Sequence, residues 1–257
     1  MPTMMFYERL APLNRDAHGR LRAKLGSAAF AARANSVPLL VTEMAAASRS
    51  YPILFVDIGA DQLFPVAMLG LSAGENLFVD EEGAWQAGVY IPAFVRRYPF
   101  VLASDMTVLI DEDYAGWSES EGEPLFNEDG SNSPALEQTL AFLRSFQDEV
   151  AHSQAFIASL REHELLKSAN IAVPPPDAEG FTIEGLMLVD AEKLAALSDE
   201  AVLGLFRSGA LQQIHAHLSS LEGLQSLEQR AAERNRVPSA SRSARKKRAA
   251  AALPRKA

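Results

Sequence analysis

A chain of 257 residues with 48% apolar and 22% charged residues can bury a sizeable core and has the balance of a soluble globular protein. It contains no cysteine, which excludes disulfides, thiolate metal sites and a cysteine nucleophile. The charge is unevenly placed: residues 233–257 carry a net of +8 against −9 overall, which leaves −17 for residues 1–232. So acidic a body argues against nucleic-acid binding by the folded part.

The first residues, MPTMMFYERL, lack a basic head followed by an apolar run, because Glu8 and Arg9 interrupt it. No window approaches the roughly 20 apolar residues of a membrane span. A cytoplasmic location is therefore expected. Residues 1–36 read as an irregular arm punctuated by Pro12 and Gly19, with a short Ala-rich helix around Leu25 to Ala34.

From Val37 the texture becomes strand-like. PLLVTEM suggests a short strand running into a helical turn at Glu43 to Ala47. YPILFVDIG and FPVAMLGL are apolar runs separated by a few turn residues, the pattern of an antiparallel hairpin. NLFVD reads as a further strand, Tyr90 to Arg97 as a helical turn opened by Pro92, and FVLASD and MTVLIDED as two more strands. About five strands in residues 37–113 without long helices between them favour an antiparallel or mixed sheet over a doubly wound one.

An acidic loop, DEDYAGWSESEGEPLFNEDGSNS, follows. Ser133 is then a helix cap with Pro134 in the first position. Leu136, Leu140, Leu143, Phe146, Val150, Ile157 and Leu160 repeat at helical spacing and predict a long amphipathic helix from Pro134 to about Lys167, its apolar face on the sheet. VPPPD reads as a stiff linker, FTIEGLMLVD as one or two strands, and Asp190 and Ser198 as caps of two more helices. Gly209 separates a short helix from a final helical stretch. The expected class is thus α+β. An N-terminal sheet is packed by one long helix, a C-terminal helical cap completes a single domain over residues 1–232, and residues 233–257 form a disordered basic tail.

Several motifs bear on chemistry. Gly70 to Gly74 fits G-x-S-x-G, but a strand is predicted after it where a nucleophile elbow needs a helix, so a turn is the better reading. His215 and His217 diverge on a helix and do not jointly chelate a metal. Asp111 to Gly122 fails the calcium-loop pattern at its fifth and twelfth positions, Ala115 and Gly122. Arg245 to Arg248 reads as a solubilising run or a contact for an anionic partner.

The strongest candidate is Gly74 to Phe100. It concentrates Trp85, Tyr90 and Tyr98, rings with a polar tip, and the pair Arg96 and Arg97, whose guanidinium groups suit a carboxylate or phosphate. Three readings stand side by side. The arginines pair internally with Asp80, Asp105 or Asp111 and the rings are core; or Trp85, Tyr90, Arg96, Arg97 and Tyr98 dock a peptide or partner protein; or a small-ligand pocket of an enzyme of unknown class lies there. No catalytic residue, metal ligand or cofactor is assigned.

At these residues the sequence resembles the SapC family. The blocks are YPILFV, PVAMLGL, GENLFVDEEGAW, YIPAFVRRYPF, GEPLFNEDG, HELLK and GALQQIHAHLSSL, in that order between about Val37 and Leu227. YIPAFVRRYPF is the most specific. The resemblance implies a bacterial accessory protein, from a family named for an association with surface layers. Its members are often found with tryptophan-halogenase-like flavoproteins and outer-membrane receptors, which are the partners it suggests. The matching hallmark residues are Trp85, Tyr90, Pro92, Arg96, Arg97, Tyr98, Pro99 and Phe100.

Overall fold

In the computed structural model, which describes residues 5–57, 62–173 and 181–236, the chain runs through short elements before its long helix. They are β1 (Leu10–Pro12), α1 (Arg15–His18), β2 (Arg22–Ala23), β3 (Ser36–Pro38), α2 (Met44–Ala47), β4 (Ile53–Asp57), β5 (Leu63–Met68), α3 (Ala93–Arg96), β6 (Phe100–Leu102), β7 (Val108–Asp111), β8 (Trp117–Ser118) and β9 (Glu123–Pro124). Then come α4 (Pro134–Glu162), the strands β10 (Leu166–Val173) and β11 (Phe181–Val189), and the helices α5 (Ala191–Ala195), α6 (Asp199–Arg207), α7 (Ala210–Ser220) and α8 (Gly223–Arg236). The class is α+β, and among the described residues every strand pair is antiparallel.

The predicted hairpin forms β4 and β5, with Leu54 opposite Val66 and Phe55 opposite Pro65. Pro65 costs the β4–β5 ladder nothing. Its carbonyl faces away from β4 and accepts the Leu39 N–H at 2.8 Å, so its missing N–H also falls on that side. Around this hairpin a five-stranded sheet assembles in the order β10-β11-β4-β5-β3.

The described part of the arm is not wholly irregular. β1 pairs with β7, Leu10 opposite Asp111, in a second sheet ordered β1-β7-β6, and β2 sits between β8 and β9 in a third. Strands of two or three residues carry no periodic signal of their own; they exist because partner edges arrive about a hundred residues later. The Ala-rich segment makes only a 3-10 turn at Ala29–Ala31. The strand expected at Asn76 to Asp80 is reduced to one bridge, Val79 to Trp85. Asn76 explains this: its side-chain oxygen accepts the Phe78 N–H at 2.9 Å, a local turn that competes with extension, and its amide donates to Ala31 O.

Helix α4 begins where expected, with Ser133 Oγ accepting the Leu136 N–H at 3.1 Å. It ends at Glu162, short of Lys167. Glu164 adopts φ +51, its N–H bonds Arg161 O, and the Leu165 N–H bonds Leu160 O, so a Schellman-type turn stops the helix and Lys167 lies in β10. The apolar stripe serves two cores. Leu136 and Leu143 pack with Phe100, Leu102, Ile110 and Leu125, whereas Phe146, Phe156, Ile157 and Leu160 join the main core under the large sheet.

Helix α7 contacts β4 and β11. Ser220 Oγ accepts the Ile53 N–H at 2.9 Å and His217 Nε2 accepts the Val189 N–H at 3.1 Å, so two buried side chains satisfy backbone donors of the sheet. Burial pushes the His217 imidazole down to about 4; His215 is exposed. Asp190 and Ser198 cap α5 and α6 as predicted, and Gly209 at φ +78 turns the chain into α7. Helix α8 continues to Arg236, so the first four residues of the expected disordered tail are helical. Residues 237–257 and the Pro174 to Asp177 part of the linker lie outside the described residues. Among the described residues no helix is long and apolar enough to cross a membrane.

Candidate functional site

The hallmark segment folds onto Glu43, an acid buried at the end of a 3-10 turn, Val41–Glu43. One carboxylate oxygen accepts the Leu40 N–H at 2.9 Å. The other accepts the Ala93 N–H at 2.6 Å and the Tyr90 hydroxyl at 2.7 Å. A single side chain thus satisfies donors at the starts of two short helical segments, which explains how so polar a group tolerates this depth. Burial, and next the facing Glu43, push the Tyr90 phenol up to about 12.

Arg96 lies on the outer side of this hub. Its Nε donates to Ile91 O at 3.0 Å, one terminal nitrogen donates to the Tyr90 hydroxyl at 3.2 Å, and the same nitrogen is 3.8 Å from Glu43. The guanidinium lies over the Phe142 ring of α4 at 5.1 Å and the Tyr90 ring at 5.8 Å. The side chain is 46% exposed. Its second terminal nitrogen makes no hydrogen bond among the described residues.

Arg97 turns the other way. It is 7% exposed and lies over Phe94 at 4.2 Å, over Phe146 at 4.8 Å, one turn along α4 from Phe142, and over Tyr7 at 5.9 Å. Among the described residues it has no ion pair, and its Nε has no hydrogen-bond partner. Burial lowers its affinity for the proton, offset in part by Tyr7, whose own phenol burial pushes up to about 12.

The internal pairing of the arginines with Asp80, Asp105 or Asp111 does not occur. Asp80 accepts the N–H groups of Glu82 and Ala84, and Asp105 that of Thr107. Asp111 accepts those of Glu8, Arg9 and Asp113 together with the Tyr98 hydroxyl. Each carboxylate is taken by nearby backbone in its own turn or by the N-terminal arm. For Asp111, burial alone would raise the pKa, but these N–H bonds outweigh it and hold the carboxyl below its ordinary value.

Trp85 is buried and its Nε1 donates to the Tyr51 hydroxyl at 3.0 Å; that hydroxyl donates to the Tyr90 carbonyl. Trp85 therefore fixes the Tyr90 backbone from behind. Tyr98 is buried in a different cluster, with Phe30 at 4.1 Å, Tyr7 at 5.2 Å and Tyr114 at 5.4 Å. Of the five expected site residues, the fold brings only Tyr90 and Arg96 together at the surface and turns Trp85, Arg97 and Tyr98 inward.

A SapC family model matches residues 13–227. The chain belongs to the SapC family. The match starts at Leu13, earlier than the blocks from Val37 suggested, and so takes in β2, which the tertiary structure makes part of a sheet. It covers the whole Glu43–Tyr90–Arg96 arrangement of this SapC chain. No curated protein and no solved structure matches the chain.

Three contributors to the site were not singled out from the sequence. Tyr51 sits at the head of a predicted strand and Phe142 lies off the predicted stripe of α4. Glu43 reads in the sequence only as part of a helical turn. Glu43 did carry a signal: a lone acid within LLVTEMAAA is either at a surface or buried with partners, and only three dimensions decide which. Among the described residues no group of three or more His, Asp and Glu is assembled as a metal would require.

Proposed function

We propose that this SapC chain is a non-catalytic binding or accessory protein that docks an acidic group of a peptide or partner protein on Arg96, with Tyr90 beside it. The observation that carries the reading is the Arg96 guanidinium. It is anchored through Nε and one terminal nitrogen, flanked by two rings, and presents its remaining donors outward. A guanidinium held in one pose meets a carboxylate with less loss of side-chain freedom than a mobile one, and arginine beside aromatic rings is a common composition for a binding hot spot. Glu43, the carboxylate beside it, is occupied by two backbone N–H groups and a phenol, which favours a positioning role for it over acid–base chemistry. Trp85, Arg97 and Tyr98 support the site from within.

The family resemblance points first to a tryptophan-halogenase-like flavoprotein, encountered in the cytoplasm, or to an outer-membrane receptor system as partner. The test is binding of the purified chain to peptides from such partners, in free-acid and amidated or Asp/Glu-to-Asn/Gln forms. Arg96→Ala is expected to abolish binding of the acidic forms while the melting temperature stays nearly unchanged, and Arg96→Lys is expected to restore only part of it. Equal binding by Arg96→Ala would reject the reading.

A further inference from the structure

A cavity of about 590 Å³ opens beside the aromatic cluster, and its lining includes none of Trp85, Tyr90 or Arg96. Its walls are the rings of Phe6, Tyr7, Phe30, Tyr98 and Tyr114, brought together from the arm, the hallmark segment and the start of the acidic loop. The rings touch: Phe6 meets Phe30 at 5.1 Å, and Tyr98 meets Phe30, Tyr7 and Tyr114 between 4.1 and 5.4 Å.

The charged groups of the lining favour a cation. All three phenols already donate to protein acceptors: Tyr7 to Phe100 O, Tyr98 to Asp111 and Tyr114 to Lys24 O. Lys24, the one basic side chain of the lining, is ion-paired with Glu121. What remains is ring surface, the Ser27 hydroxyl, which accepts the Ala29 N–H, and the carboxylates of Glu8, Asp111 and Asp113. Asp111 has four donors on its two oxygens and Asp113 is paired with Arg9, so these two contribute field. Glu8 is exposed, and among the described residues its carboxylate takes part in no hydrogen bond or ion pair. Arg97, which stacks on Tyr7, is not in the lining.

We infer that this cavity binds an organic cation, a substituted ammonium group on a small apolar body, with the rings receiving its alkyl groups and Glu8 as its counter-ion. Ring faces attract such cations, more strongly as water is excluded, and a wall of one sign on an acidic body concentrates them. The volume lies within the range of small-molecule sites. This site is independent of the docking surface at Arg96.

The test is proton NMR titration of the full chain with choline and benzyltrimethylammonium, against 3,3-dimethylbutan-1-ol, which has the shape of choline without its charge. Saturable upfield shifts of the N-methyl protons, the signature of ring contact, are expected, with choline bound at least about tenfold tighter than the alcohol. Glu8→Gln is expected to remove most of that preference at an unchanged melting temperature, because the side chain is exposed and free. Arg96→Ala is expected to leave choline binding intact. Absence of saturable shifts with both cations, an alcohol bound as tightly as choline, or a Glu8→Gln protein that keeps the preference would each overturn the assignment.

Discussion

Arg96 and Arg97 are neighbours in sequence and identical in chemistry, and the fold gives them opposite circumstances. Both lie over phenylalanines on adjacent turns of α4, Phe142 and Phe146. Arg96 has a carboxylate nearby and keeps donors at the surface; Arg97 has rings, a phenol and no acid within ion-pairing distance among the described residues. The difference teaches that guanidinium–aromatic composition does not define a recognition surface by itself. About 100° of helical rotation separates a side chain that a partner can reach from one that serves as interior packing.

The comparison breaks most completely if its hub is removed. Glu43→Ala leaves the N–H groups of Leu40 and Ala93 without their acceptor in a buried place, and a loss of about 4 kcal/mol in urea unfolding is expected. A loss below about 1 kcal/mol would mean that the carboxylate does not organise the region.

Another buried base sharpens the contrast. His217 can shed its proton, whereas a guanidinium cannot. Its folded value of about 4 lies below the ordinary 6.5. The unfolded chain therefore binds the extra proton first as the medium turns acid. The stability tied to the neutral ring is fully present above pH 6.5 and is lost as pH falls towards 4, by roughly 3 kcal/mol in total. Denaturant titrations across that window are expected to show a steeper decline for the wild type than for His217→Gln, and parallel slopes would contradict this.

Next in size are the arginines themselves. Arg97→Ala removes packing against Phe94 and Phe146 and is expected to cost about 2 kcal/mol. Arg97→Met keeps most of the volume without a buried charge and is expected to be close to neutral or stabilising. Arg96→Ala, on the exposed side, is expected to change stability by less than about 0.5 kcal/mol while removing capture of acidic peptides. If both alanine variants melted alike, the inside–outside distinction would fail.

Much of the architecture was legible in the residues because it rests on short-range rules. The stripe from Leu136 to Leu160, the caps Ser133, Asp190 and Ser198, the apolar runs of β4 and β5 and the helix break at Gly209 each need only neighbours within a turn or a hairpin. Trp85, Tyr90 and the arginine pair were also visible as an unusual concentration. Their roles were not, since Trp85 is defined by Tyr51, Tyr98 by Phe30 and Asp111, and Arg97 by Phe146, all of them distant in sequence.

The sequence by itself thus determined the α+β class, the extent of the main hairpin and long helix to within a few residues, and the segment where the chemistry gathers. Only the tertiary structure decided that the arm supplies strands, that Glu43 is the hub, and that Arg96 faces outward while Arg97 faces in. The reason is the range of the forces involved. Periodicity and capping act over a few residues, whereas burial and pairing depend on surfaces that meet only once the chain has closed on itself.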